Sequence, residues 1–568
     1  MVFTIEINNQ KVAARSGETI LSILNRNGIN IPTLCHLSGF SPTGSCRMCV
    51  VEVEGMDKLV TACSHPVEEW MKIHSHSPRV LKARKTLVEL LLAAHPDDCL
   101  YCSRMGSCEL QQLADELNVT ERKYRSRKPS IITDRSCSSI ERDPAKCILC
   151  ERCIRICNET IGVGAIEIIG RGNKSSIGTR TNKGLNTETC VKCGQCIMVC
   201  PTGALKEKPG FNLVLEALNN PQLYPVIQVS PAVQASISED FGLKPGKDIL
   251  NLLWTALYKI GFRQVFDTSL GADLTTMELS GELAERIKNK EKFPLFTSCC
   301  PSWVTYIEKT RPDLKKHLAT SKTPQQMMGL LIKRFYTDPA VVQDRKVFSV
   351  SVMPCTAKKH EAEKGHESDA EGRTVDAVLT TRELVKLIRH YGVDFSTLEP
   401  DASMQSYGMR GSAGKLFGVS GGETESVIRT LQFQLTGQDL GSPKISDTRG
   451  LKSIKETRIK YGKSMIGFVS VNGLANAIQL LKEIEAGRNN IQLVEVMACP
   501  FGCINGGGQR IGTDEKSLKN RMKALYDADE EELIKVAHKN PAVIDLYEKI
   551  LDKKTNSLGT QILHNIAD

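Results

Sequence analysis

The chain has 568 residues, 74 Lys+Arg against 65 Asp+Glu for a net charge of +9, 41% hydrophobic side chains and 21 cysteines. The length suggests about three to five domains, ordinary apolar and charged shares exclude a disordered or fibrous chain, and no run approaches the roughly 18 apolar residues of a membrane span. So mild a positive charge gives no reason to expect nucleic acid. The opening MVFTIEINNQ lacks the pattern of a secretory signal, which predicts a cytoplasmic location, and in a reducing compartment so many thiols point to metal binding or catalysis rather than disulfides.

Sixteen cysteines lie between Cys35 and Cys200, and the other five are at 299, 300, 355, 499 and 503. In chain order, VFTIEI (2–7) alternates as a strand, and ETILSILNRNG reads as an amphipathic helix closed by Gly28. Cys35, Cys46, Cys49 and Cys63 follow, with strand-like VVEVEG and LVTAC between the last two. Four thiolates so grouped suit a [2Fe–2S] centre, with structural zinc as the alternative. The spacing departs from that of plant ferredoxins but resembles the ferredoxin-like module of complex I-type subunits and iron-only hydrogenases. A helix over 79–94 leads to His95, Cys99, Cys102 and Cys108. One imidazole and three thiolates fit either zinc or a [4Fe–4S] cluster, and the line of neighbouring cluster motifs favours iron–sulfur.

The paired runs Cys147-x2-Cys150-x2-Cys153-x3-Cys157 and Cys190-x2-Cys193-x2-Cys196-x3-Cys200-Pro201 have the spacing of two-cluster bacterial ferredoxins, in which the fourth cysteine of each run ligates the other cluster. The predicted sets are Cys147, Cys150, Cys153 and Cys200 for one cubane, and Cys190, Cys193, Cys196 and Cys157 for the other. Asn158 stands where proline usually follows the first run.

Beyond residue 210 the pattern is α/β. Three apolar, strand-like runs end in cysteine, PLFTSCCPSW (294–303), KVFSVSVMPC (346–355) and LVEVMACPFGC (493–503), and YPVIQVSPAV ends near Pro231. Open α/β sheets bind ligands beyond the carboxyl ends of their strands, where these cysteines would converge; buried structural thiols are the alternative.

TSCCPSW (297–303), MPCTAKKHE (353–361) and EVMACPFGCINGGGQ (495–509) resemble the three signatures of the [FeFe]-hydrogenases, and the upstream motifs follow the order of the clostridial type with a full accessory domain. The resemblance implies ferredoxin-like iron–sulfur modules followed by an α/β [FeFe]-hydrogenase catalytic domain, a multidomain α+β and α/β chain. Its expected divisions are a plant-ferredoxin-like [2Fe–2S] domain (1–78), a His-ligated [4Fe–4S] domain (79–126), a two-[4Fe–4S] domain (127–209), the H-cluster domain (210–514) and a small-subunit-like helical tail (515–568). It further implies that Cys300, Cys355, Cys499 and Cys503 bind the H-cluster, a [4Fe–4S] cubane joined through Cys503 to a diiron subsite with CO, CN⁻ and azadithiolate. Lys358 would donate to a cyanide, Met353, Met497 and Pro231 would wall the pocket, Gln325 would add a hydrogen bond and Cys299 would carry protons. The implied reaction is reversible proton reduction to H2. Its electrons would pass between one [2Fe–2S], three accessory [4Fe–4S] centres and ferredoxin or a similar carrier, and separate maturation proteins would build the diiron unit.

This sequence departs from the family along the proton path. Leu279 aligns with a relay carboxylate and Ala319, followed by Thr320, with the usual serine. Glu278 and Glu282 share a helix face with Arg286 one turn on; Glu282 is expected to stay in the route, against the alternative of a solvated face paired with Arg286. The substitutions suggest altered rate or bias, or a low-turnover H2 sensor. An electron-transfer subunit like those of complex I is a further alternative, which the three downstream motifs oppose. In GMRGSAGKLFGVSGG (408–422) Met409 and Leu416 break the P-loop pattern, so its glycines are read as room for close backbone approach. From 515, two charged amphipathic helices break near Asn540-Pro541. Cys137 has no expected partner.

Overall fold

A computed structural model describes residues 2–125, 132–186, 189–244, 247–291, 294–336, 338–368, 373–401, 411–461, 464–551 and 562–565. Gly408 and Met409 of the glycine-rich segment, and the expected boundary at 126, lie outside the described residues.

The amino-terminal strand Val2–Ile7 pairs antiparallel with Gln10–Arg15 and parallel with Lys72–His74, in a five-stranded mixed sheet that also holds Val50–Val53 and Val60–Thr61. One helix, Ile20–Arg26, packs its apolar positions on this sheet. It starts where the Thr19 hydroxyl accepts from the Ser22 amide at 3.3 Å, and it ends at Gly28, whose φ of +72° suits a residue without a Cβ. The helix Pro78–Ala93 begins with Ser77 as cap and proline at its first position, where a missing N–H costs nothing.

Two small antiparallel pairs, Ile140–Arg142 with Leu205–Glu207 and Glu167–Ile169 with Ser176–Gly178, frame the twin cysteine runs. The larger part of the chain contains two four-stranded sheets. The first is wholly parallel, in the order Gln264–Asp267, Leu223–Val229, Lys346–Met353, Ala377–Thr380. The second places Leu295–Phe296, Leu493–Met497 and Ser464–Asn472 in parallel, with Ile454–Tyr461 antiparallel at the edge. Strands of the first are buried on both sides along most of their length, mainly apolar with a few buried polar residues such as Gln228, Asp267 and Ser351. The carboxyl ends of both sheets open on one cavity, so two sheets, and not one, supply the crevice expected from the sequence. The helices Glu515–Glu531 and Pro541–Leu551 follow, separated by a short turn at Ala537–Lys539.

Candidate active site

A cavity lies beyond the strand ends and is lined by Cys300, Cys355, Cys499 and Cys503 together with Cys299, Lys358, Met353, Met497, Pro231 and Gln325. Most reach it at or just beyond the end of a strand. Pro231 follows Leu223–Val229, Cys355 follows Lys346–Met353, Cys299 and Cys300 follow Leu295–Phe296, and Cys499 follows Leu493–Met497. Helices then leave the cavity with their first residues against it, at Pro301, Pro324 and the Lys358 and Glu423 turns. Amide-rich helix starts and a lysine face the same space, which favours an anionic occupant.

The donor set suits a polynuclear iron–sulfur group. Burial in apolar surroundings pushes the thiols of Cys300, Cys355, Cys499 and Cys503 upward, Cys355 to about 12, so without metal cations to hold thiolate charge they stay neutral. Among the described residues no three histidine, cysteine or carboxylate side chains close on a point fit for a single ion; the thiols stand around the cavity walls, as a cluster needs. The backbone is drawn in as well. A Cβ on Gly506 would lie 2.2 Å from the Pro354 carbonyl oxygen, and one on Gly502 would meet the Met497 sulfur at 2.9 Å.

Lys358 is held by Glu361, whose two oxygens accept from its Nζ at 2.8 and 2.9 Å. This carboxylate outweighs the burial that would otherwise favour the neutral amine, and the lysine stays charged. Gln325 ties the pair down, donating to Glu361 at 2.9 Å and to the Lys358 carbonyl at 3.1 Å while accepting from Ser351 at 3.0 Å. Glu361 lies inside a motif quoted above, yet only the fold reveals its task. Glu423, Ser230 and Phe417 also line the cavity and carry no sequence signal of their own.

Two further cavities hold the twin runs. Cys147, Cys150, Cys153 and Cys200 line one, and Cys190, Cys193, Cys196 and Cys157 line the other, the crossed grouping expected from the spacing. The second abuts the main cavity through main chain. A Cβ on Gly507 would fall 2.1 Å from the Cys193 carbonyl oxygen, one on Gly194 would strike Thr356 at 2.4 Å, and the Thr356 hydroxyl donates to the Lys192 carbonyl at 2.8 Å. Toward the amino terminus, a Cβ on Gly203 would touch the Cys102 sulfur at 2.6 Å, and Arg104 donates to the Cys200 carbonyl at 3.1 Å. His95 is buried, Cys102 and Cys108 are partly covered, and Cys99 is exposed. Cys35, Cys49 and Cys63 are buried with Cys46 partly so; the Cys35 thiol faces those of Cys46 and Cys63, and the Cys49 thiol faces that of Cys63. Arg155 donates to the Cys35 carbonyl, and Arg152 to the Thr33 carbonyl at 3.3 Å and to both oxygens of Glu109 at 2.7 and 2.9 Å.

The proton-path positions separate. Leu279 and Ala319 pack into one apolar cluster with Leu283, Leu295, Val427, Ile428 and Leu493. Glu282 accepts from the Thr320 amide at 3.0 Å and hydroxyl at 3.2 Å and pairs with Arg286 at 3.8 Å; it does not line the cavity. Glu278 accepts from His564 at 2.7 Å and from Tyr547. Two expectations need correction. Cys137, expected to have no partner, is buried with its thiol on Cys190. The glycine-rich segment serves helix packing as much as the cavity: a Cβ on Gly414 would meet the Ser269 carbonyl oxygen at 2.2 Å, and Lys415 is paired with Asp267 and Gln234 in the interior.

Residues 224–507 match the family described as iron only hydrogenase large subunit, C-terminal domain, and 515–565 match iron hydrogenase small subunit. Upstream, 1–78 match a 2Fe-2S iron-sulfur cluster binding domain, 84–123 the NADH-ubiquinone oxidoreductase-G iron-sulfur binding region and 137–206 the ferredoxin-like domain of NADH-quinone oxidoreductase subunit 3. The chain is 39% identical to NADP-reducing hydrogenase subunit HndD of Solidesulfovibrio fructosivorans, over 99% of its own length and 98% of that protein's. It is 35% identical to iron hydrogenase 1 of Clostridium pasteurianum, with 99% of each covered. The structure of [FeFe]-hydrogenase HydA1 from Chlamydomonas reinhardtii, variant E141Q, overlays with a TM-score of 0.54 at 32% identity, covering 63% of this chain and 98% of that one. Signature cysteines gathered at one cavity, cluster-sized cavities leading to it and full-length similarity to iron hydrogenases together show that the chain belongs to the [FeFe]-hydrogenase family and is an iron–sulfur oxidoreductase of H2.

Proposed function

We propose that the chain catalyses 2H⁺ + 2e⁻ ⇌ H2 at the Cys300–Cys355–Cys499–Cys503 cavity, in exchange with a protein electron carrier, ferredoxin or one like it. The H-cluster, when bound, supplies the redox chemistry and the open iron site. The protein's residues hold and screen it. Cys300, Cys355, Cys499 and Cys503 would anchor it, and Lys358, kept charged by Glu361, would donate a hydrogen bond to its cyanide. Met353, Met497 and Pro231 exclude bulk water, Gln325 fixes the Lys358–Glu361 pair, and Cys299 passes protons at the pocket wall. We assign one [2Fe–2S] to Cys35, Cys46, Cys49 and Cys63. One accessory [4Fe–4S] goes to His95, Cys99, Cys102 and Cys108, and two go to the crossed sets of the twin runs. The relative in Solidesulfovibrio fructosivorans is named as a subunit of a NADP-reducing hydrogenase, which supports a protein partner for the electrons. Maturation proteins install the diiron unit. All 21 cysteines are unpaired, and this favours a reducing, cytoplasmic setting; among the described residues no helix is long and apolar enough to cross a membrane.

The observation that carries this reading is the main-chain contact of Gly507 with Cys193 and Gly194, which sets the last relay cavity directly against the active-site cavity. Anaerobic H2 production and H2 oxidation by the matured enzyme with a viologen mediator test it. Turnover is expected in the wild type and complete loss in Cys503→Ala, with accessory-cluster spectra retained. A second reading, an H2 sensor of low turnover, is favoured by the apolar packing of Leu279 with Ala319. Intact CO and CN⁻ infrared bands with negligible turnover would select it.

A further inference from the structure

Two buried carboxylates to which no role has yet been given stand at and behind the cavity wall. Glu423, in the first turn of the helix Gly422–Thr436, is 2% exposed and lines the cavity, and its Oε1 has no hydrogen-bond partner among the described residues. The Cys299 thiol and the Thr297 hydroxyl face this carboxyl, and Lys358 and Glu495 are the nearby charged groups. Glu495, on the strand Leu493–Met497, is fully buried. It accepts from the amides of Gly421 at 2.7 Å and Thr424 at 2.8 Å and from the Thr424 hydroxyl at 2.9 Å. Behind it stands Lys455, buried, whose ammonium donates to the carbonyls of Ser420 and, at 3.2 Å, Gly450. Gly450 is half-buried and Lys452 is exposed. A polar series thus runs from the cavity to the surface near residues 450–452. The same helix, further along, presents Val427, Ile428 and Leu431 to the apolar cluster of Leu279 and Ala319.

We propose that protons reach the cavity along Lys455, Glu495 and Glu423, a route that takes the place of the relay closed by Leu279 and Ala319. The proposal rests on the hydrogen chemistry argued above and adds its proton supply. Burial and the charge of Glu495 push Glu423 up to about 8, burial raises Glu495, and burial lowers Lys455. Two carboxylates sharing a dry site cannot both ionise, so the pair retains a proton near neutrality, as a relay at working pH requires. Protonated Glu423 releases its proton into the cavity and becomes a carboxylate. Glu495 reprotonates it, the Lys455 ammonium reprotonates Glu495 across the Ser420–Gly421 peptide, whose carbonyl accepts from Lys455 and whose amide donates to Glu495, and solvent restores Lys455. Two such passes supply the two protons of one H2, whose electrons arrive through the clusters; oxidation sends protons outward by the reverse steps.

The test compares holoenzymes carrying Glu423→Gln, Glu423→Asp and Glu495→Gln. In infrared pH titration the wild type is expected to show a carboxylic acid C=O band that shifts in D2O and titrates near 8, lost in Glu423→Gln and kept in Glu423→Asp. H2 evolution should fall roughly 100-fold in Glu423→Gln with CO and CN⁻ bands intact, and recover in part in Glu423→Asp. Wild-type rate and pH profile in Glu423→Gln, or loss of rate only in Glu282→Gln, would overturn the proposal. If Glu423→Gln fails to load its cluster, unaltered rates in a loaded Glu495→Gln overturn it instead. No turnover in the wild type would fail the underlying reading, while the titrating band would still report the carboxyl pair.

Discussion

Leu279 is 1% exposed and clustered with Leu283, Val427 and Ile428, so a carboxylate placed there enters an apolar site. Leu279→Glu is expected to destabilise the protein by about 3 kcal/mol or more, seen as a lower apparent melting temperature, and to leave H2 evolution no faster. A faster variant of unchanged stability would show that water reaches this position. Glu423 is the opposite case, a carboxylate already buried, with the cavity beside it. In sequence the two look alike in interest: ETESV reads as acidic residues in a helix's first turn, a common and favourable place for them, and only burial separates Glu423 from an ordinary surface glutamate. Glu495 is hidden for the same reason, as one polar residue within the apolar run LVEVM. The cysteines were legible because ligand spacing is local. Carboxylates acting across elements leave no spacing to read.

At the scale of elements, the helix Ser269–Lys288 is clasped by the carboxy-terminal residues. His564 donates to Glu278 at 2.7 Å, its other ring nitrogen meets the Thr320 hydroxyl at 2.8 Å, and Asn565 donates its amide to the Thr320 carbonyl at 2.7 Å. Glu278 raises the His564 pKa above its ordinary 6.5, with Glu282 adding to this and burial and Lys322 opposing it. A raised folded-state value contributes stability that is complete below about 6.5 and is lost as pH climbs through the folded value. Hydrogen exchange at residues 562–565 should therefore quicken from pH ~6 to pH ~9 beyond the intrinsic rate, and His564→Gln should remove that dependence. Element types followed from the sequence wherever periodicity was strong, as in Pro78–Ala93 and the two tail helices. The division of the strands between two sheets did not, because parallel pairing joins segments far apart in the chain: Leu295–Phe296 pairs with Leu493–Met497, and Leu223–Val229 with Lys346–Met353.

Across the whole molecule, the relay is assembled by a few polar ties between modules. Leu34, Met48, Val88, Leu110 and Leu113 form one apolar cluster with Ile148 packed on it, joining the first cysteine loop, two helices of the His95 region and the start of the twin runs. Arg152 and Arg155 cross the same junction to Thr33, Glu109 and Cys35. Both are buried, and truncation strands the carbonyls and the carboxylate they satisfy. The double variant Arg152→Ala/Arg155→Ala is expected to speed proteolytic release of the amino-terminal module and slow reduction of its cluster under H2, with viologen-linked turnover preserved. Unchanged proteolysis would show that the apolar cluster alone holds the junction.

The crossed cavities of the twin runs have a consequence for how this part of the chain comes to exist at all. Each is walled by three cysteines from one run and one from the other. A fragment bearing a single run completes neither wall, and on the assignment proposed above a cluster seated in either cavity would fasten two distant stretches of backbone like a rivet. Its insertion would then be a step of folding, not a later decoration. A break in the segment between Cys157 and Cys190 would leave two pieces joined by the pairing of Ile140–Arg142 with Leu205–Glu207, by one shared apolar core and by the walls of these cavities.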